Sequence, residues 1–318
     1  FKILEICKYH KPNNIILENV FNLISLENGK YIKKITELFN ELNYNVSYEK
    51  FNSKDFGLAQ SRERVYIICS IDNKIELKNV NKKYDKIYLK DIIDFENKET
   101  NIEINFSKKI IDLHSKKKLY GNKIGDKRGG CSNIHSWDLE LNGKISDEEK
   151  ELLNKIMLER RKKHWAEKKN IKWMDGMPLT IEEISSFFKR NNLKIMLDNL
   201  VKKNYLKLEK CKDLVNGKRI YKENSEPGYN ICKGKLSFPV SKILDPNDVA
   251  PTLTATDSIK LAVIIDNKYL RTLSSCELKK LCGFNKEFIV NDEVNIYDLF
   301  GNMATPPVIT NLLKLIYE

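Results

Sequence analysis

The sequence predicts an α/β fold interrupted by a long insertion of different character. Three observations predict it. Val65-Tyr66-Ile67-Ile68-Cys69 is an apolar, β-branched run of strand length. A second apolar run, Ile15 to Leu17, is separated from it by an amphipathic helical pattern. Strand and helix patterns return near the end, so residues 1–75 and 248–318 read as one domain and 76–247 as another.

Residues 1–10 follow an apolar helical period, and Phe1 enters mid-helix, so the sequence is expected to be a fragment or processed piece. Lys11-Pro12-Asn13 is a turn. Ile15 to Leu17 is a short buried strand that runs into Glu18-Asn19-Val20. Residues 29–43 are an amphipathic helix with Ile32, Ile35, Leu38, Phe39 and Leu42 on one face. Residues 44–52 and 64–70 are two further strands. Asp55-Phe56-Gly57 matches the DFG of protein kinases, but nothing else of a kinase is present. Gln60, Arg62 and Arg64 stand at the entrance of the last strand in the pattern Q-x-R-x-R. Side chains alternate on a strand, so all three point one way. Two guanidiniums and an amide there suit an anion or a planar polar ring, with a solvated edge as the plainer alternative. Open α/β sheets build their sites at strand ends.

Residues 82–93 and 102–111 read as partial elements. Lys116-Lys117-Lys118 and residues 121–133, GNKIGDKRGGCSN, could approach phosphates through backbone amides or form a disordered surface loop. Ser146-Asp147-Glu148-Glu149 is a capping box, with helix expected to about residue 169 and Arg160 to Lys163 on its outer face. Thr180-Ile181-Glu182-Glu183 is a second capping box, opening a helix through Phe188. A third helix over 193–203 carries the core stripe Leu193, Met196, Leu197, Leu200 and Val201. Residues 205–211 are a strand, Asn216-Gly217 a turn and 219–222 the return. Helix, helix, strand, hairpin, strand is the order of a winged helix-turn-helix. The third helix would then enter a DNA major groove with Lys189, Arg190, Asn191, Asn192 and Lys194 near its start. A helical spacer with a solvated basic face is the alternative.

In the last segment, residues 251–255 and 261–265 flank a loop, 274–281 form a helix and 307–317 the final one. Gly301-Asn302 precede that helix and suit backbone approach to a ligand at a helix start. The formal charge of +12, from 56 basic and 44 acidic residues, fits a polyanion partner. Hydrophobic residues make up 41%, enough for a packed core. No apolar run approaches the ~18 residues of a membrane span, and no signal peptide is evident. Seven scattered cysteines without a Cys-x-x-Cys pair point to a reducing, intracellular compartment. Four histidines lack metal-ligand spacing, so no zinc site is expected. The abundance of Lys, Ile and Asn suggests an AT-rich bacterial or phage genome.

Four of these stretches, in order, resemble the later motifs of the DNA (cytosine-5) methyltransferases. Leu17 to Val20 resembles the ENV motif (VI), and Gln60 to Arg64 the QxRxR motif (VIII). Arg271-Thr272-Leu273-Ser274 with Glu277, followed by Cys282-Gly283-Phe284, resembles motif IX, and Gly301-Asn302 the start of motif X. The resemblance covers residues 1–75 and 248–318. It implies the C-terminal half of a Rossmann-like methyltransferase domain, with 76–247 as an inserted target recognition domain containing a winged-helix-like unit. It further implies double-stranded DNA as partner, S-adenosylmethionine as cofactor, a restriction-modification role and a bacterial, cytoplasmic, nucleoid-associated location.

The same resemblance assigns roles. Cytosine C5 becomes nucleophilic once a thiolate adds at C6, and the charge that develops on the ring must be neutralised. Glu18 is the acid candidate at N3, Arg64 the guanidinium at O2, and Arg62 holds the site or a phosphate. Gly301, Asn302 and Met303 are the cofactor candidates. Asn19, Gln60, Thr252, Lys117, Arg128, Arg161, Lys163, Asn191 and Asn192 are the DNA candidates. The target base must leave the duplex. The family's Pro-Cys nucleophile and its glycine-rich cofactor loop have no match here, and Cys7 lies in a helical pattern rather than after a proline. The N-terminal catalytic half is therefore expected from the same polypeptide or a separate subunit, and the chain alone is expected to be inactive. A non-enzymatic DNA-binding remnant or specificity subunit is the alternative. An RNA methyltransferase is disfavoured by the long interval 76–247.

Overall fold

The computed structural model describes residues 2–80, 84–98, 102–114, 119–126, 133–172, 176–232, 238–285, 287–291 and 293–318, with the side chain of His114 left aside. Two compact units emerge: residues 1–97, 244–259 and 273–318 form the first, and 98–243 and 260–272 the second. These limits differ from those predicted. Residues 76–97 join the first unit because Leu77 and Val80 pack with Phe51, Phe56 and Tyr66. Residues 260–272 join the second because Ala262 and Leu270 pack with Phe106 and Ile110.

The first unit begins with α1 (Lys2–His10), β1 (Asn14–Val20), α2 (Lys30–Asn40), β2 (Asn45–Asn52) and β3 (Glu63–Ser70). The sheet order is β1-β3-β2, with β3 antiparallel to both neighbours. An all-parallel arrangement is not possible here. The link over residues 53–62 is shorter than the dozen or so residues a parallel crossover needs. β3 is covered on both faces, which accounts for its unbroken apolar run. Val65, Ile67 and Cys69 pack with Cys7, Ile32 and Phe39. Tyr66 and Ile68 pack with Phe51, Phe56, Val308 and Leu312.

The second unit holds α3 (Ile104–His114), α4 (Asp147–Glu159), α5 (Lys163–Lys168), α6 (Ile181–Ser185) and α7 (Leu193–Lys202). They are followed by β4 (Leu206–Glu209), β5 (Lys212–Val215), β6 (Lys218–Tyr221), β7 (Gly228–Ile231), β8 (Lys242–Ile243), β9 (Leu261–Ile265) and β10 (Tyr269–Thr272). β4 pairs with β7, β5 with β6, and β9 lies between β8 and β10. One core gathers Leu153, Ile156, Ile184, Leu197 and Leu200, and another Phe106, Ile110, Ile134 and Phe238.

Both predicted capping boxes form, at Ser146 with Glu149 and at Thr180 with Glu183. The helices they open are shorter than predicted. The expected helix to residue 169 breaks after Glu159, where Arg160 turns inward and its backbone carbonyl accepts from Met177. The helix from Thr180 ends at Ser185, with Phe188 buried beyond it. The strand expected over 205–211 stops at Glu209, and the hairpin over Asn216-Gly217 joins 212–215 to 218–221. β7 was not predicted; a Cβ on its first residue, Gly228, would lie 2.7 Å from the Leu179 backbone.

The chain closes in the first unit with α8 (Ser275–Cys282), α9 (Ile296–Gly301) and α10 (Pro306–Tyr317). Among the described residues no helix is long and apolar enough to cross a membrane.

Candidate active site

Glu18 sits near the end of β1, opposite Tyr66 of β3, while Val20 sits opposite Arg64. Glu18 and Arg64 are therefore diagonal neighbours on one face, within reach of long side chains. Arg64 Nε stands 3.0 Å from Glu18 Oε1, and Arg62 Nη2 stands 4.0 Å from the same oxygen. The Glu18 side chain keeps 21% of its surface accessible, against 2% for Arg62. Burial raises the Glu18 pKa above the ordinary carboxylate range, and the charges of Arg64 and then Arg62 oppose that rise. The result is a carboxyl whose pKa burial raises, with a guanidinium at hydrogen-bonding distance and an opening to solvent.

Arg62 does a different job from Arg64. Its guanidinium donates to the carbonyls of Leu253 at 3.2 Å, Gly301 at 3.1 Å and Met303 at 2.8 Å. Burial lowers its pKa first, and the neighbouring Arg64 charge lowers it further. Arg62 thus pins two backbone segments, at Leu253 and at Gly301 to Met303, behind the Glu18–Arg64 pair and contacts no outer surface. Of its two expected roles, holding the site fits this geometry, and a phosphate contact does not.

Gln60, predicted to touch DNA, is fully buried. Its amide nitrogen donates to the Leu281 carbonyl at 2.9 Å, and its amide oxygen accepts from the Leu253 amide at 3.2 Å. A side chain spent in this way is a tie within the core, not a DNA contact. Ser53, which the sequence reading passed over, completes the arrangement. Its hydroxyl accepts from the Arg62 amide at 3.0 Å and donates to the Gln60 carbonyl. No local pattern marks it, because its partners come from the next turn of chain.

The predicted cofactor residues make contacts within the chain. Asn302 ends α9 rather than opening a helix. Its backbone amide and its side-chain amide both donate to the Asp298 carbonyl, at 3.2 Å and 3.0 Å. The glycine at 301 admits protein rather than ligand: a Cβ there would lie 2.5 Å from the Ala255 amide nitrogen. The carbonyl of Met303 is taken by Arg62. An apolar cavity of about 470 Å³ opens beside Glu18 and Asn19, lined by Leu4, Ile16, Leu17 and Leu23 among others.

The predicted DNA residues are dispersed. In the first unit Asn19 is exposed, with its oxygen accepting from the Val20 amide at 2.8 Å. Thr252 is half-buried and donates to the Ser61 carbonyl at 2.8 Å. In the second unit Arg161 is half-buried, and Lys163 is exposed and paired with Glu167 at 3.1 Å. Asn191 and Asn192 are both exposed ahead of α7, and Asn192 holds the N-cap position without a side-chain bond to the helix. Lys117 and Arg128 lie outside the described residues.

Comparison with known proteins gives this geometry a context. A family model described as C-5 cytosine-specific DNA methylase matches residues 1–318. The type II methyltransferase M.NlaIV of Neisseria lactamica is 43% identical over 317 residues, covering 97% of this chain and 74% of that enzyme. The type II methyltransferase M.BanI of Aneurinibacillus aneurinilyticus is 31% identical, with 100% of this chain and 74% of that enzyme covered. Among solved structures, the S. pombe Dnmt2 methyltransferase aligns with 99% of this chain and 68% of its own at TM-score 0.41 and 13% identity.

Proposed function

The chain belongs to the C-5 cytosine-specific DNA methylase family, and from that premise we propose that it supplies the ring-activating and sequence-reading parts of a restriction-modification methyltransferase. The observation that carries the reading is the Glu18–Arg64 pair at 3.0 Å, partly open to solvent and backed by Arg62. A cytosine flipped from duplex DNA offers N3, the 4-amino group and O2 on one edge. Glu18, its pKa raised by burial, donates to N3 while accepting from the 4-amino group. Arg64 then binds O2 and stabilises the negative charge that thiolate addition at C6 pushes onto the ring. Arg62 fixes the pair without touching the base. S-adenosylmethionine is the methyl donor the family implies, and no step is assigned to residues 301–303 in holding it.

No Pro-Cys dipeptide occurs in the 318 residues. The nucleophile and the cofactor loop are therefore proposed to come from outside them. Two features support this. Among the described residues β1 pairs only with β3, which leaves its outer edge open. The apolar cavity beside Glu18 lies at β1, and α1 exposes Ile3, Ile6 and Tyr9. The second unit is proposed to read duplex DNA, with α6, α7, β4 and the β5–β6 hairpin as a winged-helix-like arrangement.

The test uses tritiated S-adenosylmethionine and duplex DNA. The purified chain alone is expected to transfer no methyl group. Supplied with a complementing polypeptide that carries the Pro-Cys nucleophile and cofactor loop, it is expected to do so. In that assembly Glu18→Gln should lower the single-turnover rate by about 10²–10⁴-fold with little loss of DNA affinity, because the amide cannot deliver a proton. Rates within about threefold of the parent would remove Glu18 from the role.

A further inference from the structure

We propose that the β5–β6 hairpin is a ribbon that enters a groove of duplex DNA, and that the cationic cavity at its foot seats a backbone phosphate of the same duplex. This rests on the reading of the second unit as the DNA-recognition part. The hairpin is built without a core of its own. Among the described residues β5 and β6 pair only with each other. An isolated two-stranded hairpin is marginal in water. Yet Leu214, Val215, Ile220 and Tyr221 remain 40%, 47%, 50% and 50% exposed. The pairing register puts Leu214 with Arg219 on one face and Val215 with Lys218 on the other. Apolar surface is thus exposed on both faces, which marks the hairpin as an element that meets a partner. The turn is tight, with Asn216 at φ 50° and Gly217 at φ 75°, so the tip stays narrow.

Charge selects the occupant. Residues 210–223 carry Lys210, Lys212, Lys218, Arg219 and Lys222 against Asp213 and Glu223, five positive charges less two negative, or +3. The Asp213 carboxylate is already engaged by the Lys172 and Leu214 amides, each at 2.8 Å. At the base of the ribbon lies a cavity of about 190 Å³ lined by Arg160, Arg161, Lys210, Lys212 and Arg219, with Glu209 the one acidic residue. Glu209 is turned to Asn230 at 2.6 Å and Lys207 at 2.8 Å. At ~30 Å³ per water, the cavity has room for one tetrahedral phosphate. A major groove admits a two-stranded ribbon, and phosphate contacts beside it fix its register.

The experiment is fluorescence anisotropy of the full chain with a labelled duplex of random sequence, across a salt series. Lys218→Glu/Arg219→Glu should weaken binding by at least about tenfold and flatten the slope of log affinity against log salt by about two. Lys33→Glu/Lys34→Glu makes the same charge change on α2 of the first unit and should cost less than about threefold. Val215→Ser/Ile220→Ser should weaken binding several-fold and leave the salt slope unchanged. All six positions are exposed, so the fold is expected to survive, which circular dichroism checks. If the parent binds no duplex, the DNA-reading proposal fails and this one with it. If the parent binds and the hairpin variants match the α2 control, only the ribbon is overturned. Should the Val215 and Ile220 changes alter oligomeric state rather than DNA binding, the ribbon belongs to a second copy and the proposal is equally wrong.

Discussion

Arg62 and Arg64 are two positions apart and do opposite things, and the difference lies in what surrounds each guanidinium. Arg64 faces a carboxylate near the surface; Arg62 is enclosed by three backbone carbonyls. Removing Arg62 leaves those acceptors buried without donors, each costing about 1–3 kcal/mol. Arg62→Ala should therefore destabilise the chain by about 3–5 kcal/mol, read from urea unfolding, whereas Arg64→Ala should cost less than about 1 kcal/mol. Equal losses would erase the division of labour between them. Glu18 carries the pH dependence. Its folded pKa is raised, so the protonated form is favoured in the folded state. The stability this contributes is present at low pH and is lost as pH rises through the raised value. Arg64 is the larger of the two charges that oppose the rise. Arg64→Ala should move the Glu18 titration still higher, observed by NMR of the carbon-13-labelled carboxyl. A downward move would contradict the ion pair. The sequence showed the residue types at this site because the pattern is local. It could not show that Gln60 and Arg62 are ties, since their partners Leu253, Leu281, Gly301 and Met303 lie about 190 to 240 positions away.

At the scale of elements, what was legible followed the range of the interactions that specify it. The predicted capping boxes at Ser146 and Thr180 span four residues each, and both form; a third, at Ser274 with Glu277, is found in the structure. The continuous apolar run Val65 to Cys69 marked β3 as a strand for the same reason, and the structure adds that it is buried on both faces. Helix ends were not legible, because tertiary contacts set them: Arg160 leaves the helical path to bond Asn230, 70 positions away. β7 was missed because its partners, β4 and Leu179, are remote and its sequence, Gly-Tyr-Asn-Ile, is only four residues long and opens on a glycine. These two classes of feature should respond differently to mutation. Thr180→Ala should cost about 1 kcal/mol, the usual worth of an N-cap. Gly228→Ala should cost more, about 1–3 kcal/mol, because its Cβ meets main chain at 2.7 Å and no side chain can yield. Thermal denaturation of the two variants beside the parent measures both. A smaller loss at Gly228 than at Thr180 would mean that β7 and Leu179 separate readily.

For the molecule as a whole, a net charge of +12 makes some affinity for DNA almost unavoidable, so affinity alone says little about recognition. What distinguishes a reader from a merely basic protein is that two kinds of substitution part company. Arg161 borders the cationic cavity, and Lys163 projects from α5 on a weak surface pair with Glu167. Neither geometry offers a base-specific contact, so Arg161→Ala and Lys163→Ala should weaken binding about equally on every sequence. Each should flatten the salt slope by about one unit. Asn191 and Asn192 differ in kind. Both amides are exposed ahead of α7, and the Asn192 side chain caps no helix amide, which leaves its paired donor and acceptor available. An asparagine amide pairs in bidentate fashion with adenine, and losing such a pair costs about 1–3 kcal/mol of discrimination at one position. Asn191→Ala or Asn192→Ala should therefore relax preference at one base pair while leaving the salt slope nearly unchanged. The measurement is selection of bound duplexes from a randomised pool by the parent and each variant, followed by titration at several salt concentrations. If the asparagine variants select the parent's sequence with undiminished preference, α7 does not read bases, and the specificity of the second unit must reside in another of its elements, the β5–β6 ribbon first.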